Sequence, residues 1–238
     1  MKKRLCLFAF VSLITVSSCS PRLSMHSAGK YPAGASEGEI SLLDEDAVIP
    51  SGAKTLGTLT VSSRLFSSIM SGTYDKCLDL AKRGARKMGG NSIKITNHST
   101  PRRVYDKHSL NADVLLLSEA PVVEVDVTHP NYASVWLYSY YISSPGYGYN
   151  VYLDDKWVYY MKPYTKTEIR IFEPGTYTLN AKVEKVVELP LTVELGKDYY
   201  IEASVSLGLI NPNPNLFFVS EFSGKDACKR TKEVEQNE

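Results

Sequence analysis

Few residues in this chain could do chemistry, and they are scattered. His26, His98, His108 and His129 fall in segments that read as spacer or loop, and none has a serine or cysteine at an offset suggesting an activated nucleophile. No G-x-S-x-G, H-E-x-x-H, phosphate-loop or dinucleotide pattern occurs. His98 and His108 stand ten residues apart and read as exposed loop residues, because a tight metal site wants closely spaced ligands of shared geometry. Asp44-Glu45-Asp46 reads as a solvated acidic turn. Spacing therefore assigns no catalytic residue, no metal ligand and no cofactor.

Aromatic density is the one unusual local feature. Residues 132–164 hold twelve of the 25 aromatic side chains, far more than an even spread would place there. Trp136, Tyr138, Tyr140 and Ile142 share one face of a strand, with Val135, Leu137 and Tyr141 on the other. Tyr147 sits in the turn-like Ser143-Ser144-Pro145-Gly146-Tyr147-Gly148-Tyr149. Tyr138, Tyr140, Tyr147 and Tyr149 are the candidate binding residues, able to stack on a sugar ring or anchor a protein partner. The competing reading is that strands simply favour Tyr and Trp.

Two textures of chain must position these residues. From about 48 to 119 the pattern is β-α-β-β. Leu56 to Val61 alternates as a strand. Tyr74, Cys77, Leu78, Ala81, Ala85 and Met88 then recur at spacings of three and four, the apolar stripe of a helix capped by Thr73 and stopped by Gly89-Gly90. Ser92 to Thr96 and Ala112 to Leu117 complete the unit as strands. From Pro121 to about 222 short strands alternate with turn signals, at 122–128, 133–142, 149–154, 157–161, 167–172, 176–183, 186–194, 198–206 and 216–222. Asp154-Asp155-Lys156 and Leu195-Gly196-Lys197-Asp198 read as hairpin turns, and Glu173-Pro174-Gly175 as a type II turn. The fold class expected is α+β: a small α/β unit (48–119), an all-β sandwich of Ig-like or transthyretin-like class (120–224), and a charged tail that frays (225–238).

The first residues give an address. Lys2, Lys3 and Arg4 precede an apolar run from Leu5 to Val16, too short to span a bilayer well, and small residues follow. This is the order of a secretory signal. Val16-Ser17-Ser18-Cys19 resembles a bacterial lipobox, which implies that Cys19 is acylated and becomes the N-terminus, with residues 1–18 removed. Residues 19–47 then read as a flexible tether, rich in Gly, Pro and Ser. Three of the 27 basic residues and none of the 26 acidic ones lie in the leader, leaving 24 against 26 and a formal charge of −2. With no basic patch, nucleic acid is not an expected partner. Cys77 and Cys228 are the remaining cysteines; they form a candidate disulfide in an oxidising compartment, while the alternative makes Cys77 a small core residue on its helix.

Two stretches carry a resemblance to known families. Ala81-Lys82-Arg83-Gly84-Ala85-Arg86-Lys87-Met88-Gly89-Gly90-Asn91-Ser92-Ile93, with the strand before it, resembles the core shared by Rcs-type outer-membrane stress-sensor lipoproteins and the YbjQ-like heavy-metal-binding family. Phe172-Glu173-Pro174-Gly175-Thr176-Tyr177-Thr178-Leu179 and Leu195-Gly196-Lys197-Asp198-Tyr199-Tyr200-Ile201 are similar to a lipoprotein-associated β-sandwich family without assigned activity. The stress sensors use several disulfides and this chain has too few cysteines to match, so no residue role carries over. Ser20 after the lipobox cysteine fits outer-membrane delivery, so the chain reads as an outer-membrane lipoprotein facing the periplasm, and without a catalytic motif its expected role is non-catalytic. Its partners would be the membrane, through lipid on Cys19, and an envelope protein, for binding, scaffolding or stress sensing. A glycan- or peptidoglycan-binding module is the alternative, and an enzyme the second alternative.

Overall fold

The computed structural model describes residues 21–29, 38–63, 73–101, 106–118, 129–140, 148–183, 185–207 and 212–233. The fold is α+β, dominated by strands, with two helices among the described residues. The strand expected at 122–128 lies outside the described residues, as do Cys19 and Tyr147.

The first sheet contains β1 (Arg22–Ser27), β2 (Ser41–Leu43), β3 (Lys54–Ser62), β4 (Ser92–Ser99) and β5 (Ser109–Leu116), in the order β1-β3-β5-β4-β2. Helix α1 (Thr73–Lys87) lies on one face. The stripe read from the sequence is what it buries: Tyr74, Cys77, Leu78, Ala81, Ala85 and, just beyond the helix, Met88 meet Leu59, Val61, Ile93, Ile95, Leu110, Ala112 and Val114. Each large apolar side chain so buried contributes about 1.5–3 kcal/mol. Gly57 has φ +155°, and a Cβ there would lie 2.2 Å from the His26 carbonyl oxygen. A side chain at position 57 would therefore push β1 off the sheet. The span expected as a flexible tether supplies both edge strands, β1 and β2. β1 is mostly exposed and β2 is three residues long, so neither carries a strong apolar alternation.

The second half builds two sheets around one core. β7 (Tyr149–Leu153), β8 (Lys156–Met161), β10 (Gly175–Lys182) and β11 (Val186–Val193) form an antiparallel sheet ordered β11-β10-β7-β8. β6 (Ala133–Tyr138), β9 (Thr165–Ile171), β12 (Asp198–Leu207), β13 (Pro212–Phe218) and β14 (Lys232–Glu233) form a mixed one ordered β13-β12-β6-β9-β14. Alternate residues of both sheets, including Val135, Leu137, Val151, Met161, Leu179, Leu191, Ile201 and Ala203, share the core. Asp154 and Asp155 both take positive φ, 45° and 64°, the conformation a two-residue hairpin turn needs. Gly175 instead opens β10 without a positive φ, so the type II turn is not formed there.

Helix α2 (Glu221–Arg230) takes the last two residues of the strand expected at 216–222 and six of the tail expected to fray from 225; it is capped by Ser220, whose hydroxyl accepts from the Ser223 amide. Its buried residues are Ser223, Gly224 and Ala227. Small side chains of this kind leave no apolar stripe in the sequence. Among the described residues, no helix is long and apolar enough to cross a membrane.

Candidate functional site at the C-terminal helix and the adjoining sheet face

Strand alternation sends Val135, Leu137, Ile169 and Ile201 inward and their neighbours outward. The strand registers arrange the outward residues in three rows: Asp198–Ser134–Arg170, Tyr200–Trp136–Glu168 and Glu202–Tyr138–Lys166. Helix α2 covers one end of this face. Gly224 lies so close to Tyr200 that a Cβ would come within 2.1 Å of the ring's Cγ. Ala227 packs with Tyr138 and Tyr140, and Lys166 Nζ donates to the Cys228 carbonyl at 2.8 Å.

The other side of α2 faces the first sheet. A register shift between Ile95 and Asn97 turns His98 onto the buried side of β4. There His98 Nδ1 lies 2.7 Å from Asp226 Oδ2, and His98 Nε2 lies 3.1 Å from His108 Nδ1. The carboxylate assigns the proton to His98 Nδ1, so His108 donates to His98 Nε2. Tyr74 of α1 stacks on His98 at 3.8 Å between centroids, and Tyr140 meets His108 edge-on. Around this row, Arg230 Nε donates to both Asp226 oxygens at 3.0 Å, and Arg230 Nη2 reaches Glu45 at 2.8 Å. Glu45 also accepts the His98 amide. Lys229 bridges Asp44 and Asp46, while Asp75 of α1 accepts from Ser220 and Ser223 at the start of α2. The acidic turn expected in solvent is thus the receiver for α2.

Burial and the neighbouring His98 push His108 down to about 3, so it is neutral. Burial raises the Asp226 carboxyl, but the His98 hydrogen bond and the Arg230 charge outweigh it and hold the group below the usual carboxylate range. Burial, with the Asp226 charge next, raises Tyr74 and Tyr140, whose hydroxyls have no hydrogen-bond partner among the described residues. Both histidines are buried, not exposed in a loop. Among the described residues, no group of three His, Cys, Asp or Glu side chains is placed to hold a metal. A sealed His–Asp pair touches no substrate, so its geometry clamps two parts of the fold together.

The uncovered end of the face is an open cleft of about 410 Å³, lined by His129, Tyr132, Ser134, Trp136, Glu168, Arg170 and Asp198. His129 Nε2 meets Asp198 at 2.8 Å and its Nδ1 meets the Tyr132 carbonyl at 3.1 Å. Although partial burial opposes it, these two acceptors raise the His129 pKa. With both ring nitrogens directed at acceptors, His129 offers no lone pair to a serine. Ser134 Oγ donates to Glu168 at 2.5 Å. These groups are therefore not arranged as a nucleophile and its base.

The tyrosines proposed for stacking need correction. Tyr138, Tyr140 and Tyr149 are 1%, 5% and 2% exposed, so none offers a ring face to a ligand. Tyr149 fills the core between the sheets, and α2 helps bury the other two. Cys77 and Cys228 are not joined in a disulfide, and Cys77 lies within the first core. The reading from sequence missed His98, His108, Glu45, Asp226 and Arg230 as a group, since only the placement of α2 assembles them. No protein-family model and no curated protein matches the chain.

Proposed function

We propose that this chain is a non-catalytic lipoprotein of the bacterial cell envelope, anchored through Cys19 at the outer membrane, facing the periplasm, and acting by binding another envelope protein, as a scaffold or in stress sensing. The carrying observation is the order Lys2-Lys3-Arg4, Leu5–Val16, Cys19 at the N-terminus. One acyl chain gives only marginal anchoring, whereas two or three hold a protein on a bilayer durably. Only Ser20 and Pro21 separate Cys19 from Arg22, where β1 starts, a reach of about 10 Å. The first sheet would therefore lie against the membrane instead of hanging from a long spacer. The two-sheet half is read as a β-sandwich of the Ig-like or transthyretin-like class, a scaffold for presenting surface loops. The sealed histidine pair and the fully engaged His129 support a role without catalysis. The test is fractionation: the wild-type protein should sediment with membranes, and Cys19→Ala should release it.

The glycan-binding alternative now rests on the cleft, where half-exposed Trp136 and Tyr132 stand beside Glu168, Asp198 and Arg170. Titration with soluble peptidoglycan fragments, read by tryptophan fluorescence and compared with Trp136→Ala, separates this reading from the first.

A further inference from the structure

We propose that α2 is an acid-released strap, which closes over the His98–His108 pair at neutral pH and lifts from the first sheet when that pair and its carboxylate partners take up protons. The inference goes beyond anchoring and does not depend on it.

The strap is held by charge more than by apolar burial. Its own buried residues are Ser223, Gly224 and Ala227, and Phe222 is only partly buried against the first core. Against this stand Asp226 on His98, Arg230 on Glu45, Lys229 on Asp44 and Asp46, and Asp75 on Ser220 and Ser223. In each contact a carboxylate is the acceptor, and protonation removes its charge and part of its accepting capacity.

Geometry beneath the strap sets the direction. His98 and His108 approach nitrogen to nitrogen at 3.1 Å, a distance that accommodates one proton between them. Were both imidazolium, two N–H groups would point at each other in a site closed to water. The groups facing this pair are Asp226 from α2, Tyr74 from α1, Tyr140 after β6, and Glu45 from the turn after β2, with Arg230 behind Asp226. Asp226 accepts from His98 Nδ1, and nothing in this set compensates a charge on His108. Opening hydrates the His108 ring and lets it accept a proton, so the open form binds one proton more and gains on acidification. Among the described residues the Tyr74 and Tyr140 hydroxyls also lack a partner while the strap is closed. Lifting it would supply them with water. Release from the first sheet would uncover the row Tyr74, His98, His108 and Tyr140.

The experiment is amide hydrogen exchange on the full chain across acidic pH, corrected for intrinsic rates, comparing the amides of α2 with those of β12. Opening that takes up one extra proton should deprotect α2 by about tenfold for each pH unit below the ordinary histidine pKa of about 6.5, while β12 stays protected. His108→Gln should flatten that slope. Lys229→Ala, at the exposed end of the strap, should weaken protection while leaving in place the slope that His108 sets. Loss of protection in α2 and β12 together at one pH, or protection of α2 that does not vary with pH, would overturn the proposal. The wild-type comparison decides the matter even if His108→Gln fails to fold.

Discussion

His98 Nδ1 and Asp226 Oδ2 lie 2.7 Å apart although 128 residues separate them in the chain. One residue is the last but one of β4 in the first sheet, the other sits on a helix that follows every strand of the two-sheet half except β14. Their contact ties the first sheet to the C-terminal helix. It also explains why α2 is helical where the sequence reads as charged tail: the partners that stabilise it are distant, and they are polar.

Removing Asp226 should be costly. Asp226→Ala leaves His98 and Arg230 without their shared acceptor in a site where the carboxylate is only 12% exposed. By analogy with broken buried ion pairs the loss should be about 2–4 kcal/mol, and Asp226→Asn should lose less by keeping one acceptor oxygen. Urea unfolding at neutral pH measures it. A change below about 0.5 kcal/mol, the usual range of surface substitutions, would mean the pair contributes little.

Stability should fall in acid, with a predictable sign. His108 is neutral in the fold because its pKa is pushed down to about 3, whereas the unfolded chain protonates it near the ordinary value. The contribution is present in full above about pH 6.5 and is lost as pH falls toward the folded value, at about 1.4 kcal/mol per unit. Asp226, held below its ordinary range, acts in the same direction at lower pH, as its carboxylate is protonated. Thermal melts of the wild type and His108→Gln across acidic pH should diverge, the variant being flatter.

Gly224→Val should dislodge α2 without touching a charge. The added side chain would drive into the body of the Tyr200 ring, not into a movable tip. Overpacking of this kind costs about 1–3 kcal/mol, and here it should appear as selective loss of α2 protection in hydrogen exchange.

The two thiols should behave differently. Burial pushes the Cys77 thiol up to about 12, and its side chain lies in the first core. Alkylation in native buffer should therefore modify Cys228 and spare Cys77 until the protein is unfolded. Mass analysis without reductant should show no bridge between them; a bridge would contradict the observed arrangement.

Much of the fold is legible where burial is periodic and local. The three- and four-residue spacing of α1 and the alternation of β6 to β12 match elements that each bury one face in a core. What escapes has weak local signals. β1 exposes most of its residues, and β2 is too short for a pattern. α2 buries only small side chains. The histidine pair escapes for two further reasons. The irregularity between Ile95 and Asn97 shifts the phase of β4, so that counting by twos from Ile93 points His98 to the wrong face. Its partners also come from β2's turn, α1 and α2, which only the tertiary structure brings together. Tyr138 lies on the outward face of β6 and Tyr140 just beyond the strand, which ends earlier than the 133–142 expected; α2 covers both, and its absence from the sequence reading made them candidates for an open site.

The measurement that bears most directly on the proposed role is the intact mass of the mature protein recovered from a bacterial envelope, set beside that of Cys19→Ala. An envelope lipoprotein predicts a chain beginning at Cys19 and carrying a lipid-sized increment, both absent from the mutant, which should leave the membrane fraction. A mature chain whose mass is accounted for by peptide alone, recovered in the soluble fraction, would contradict it.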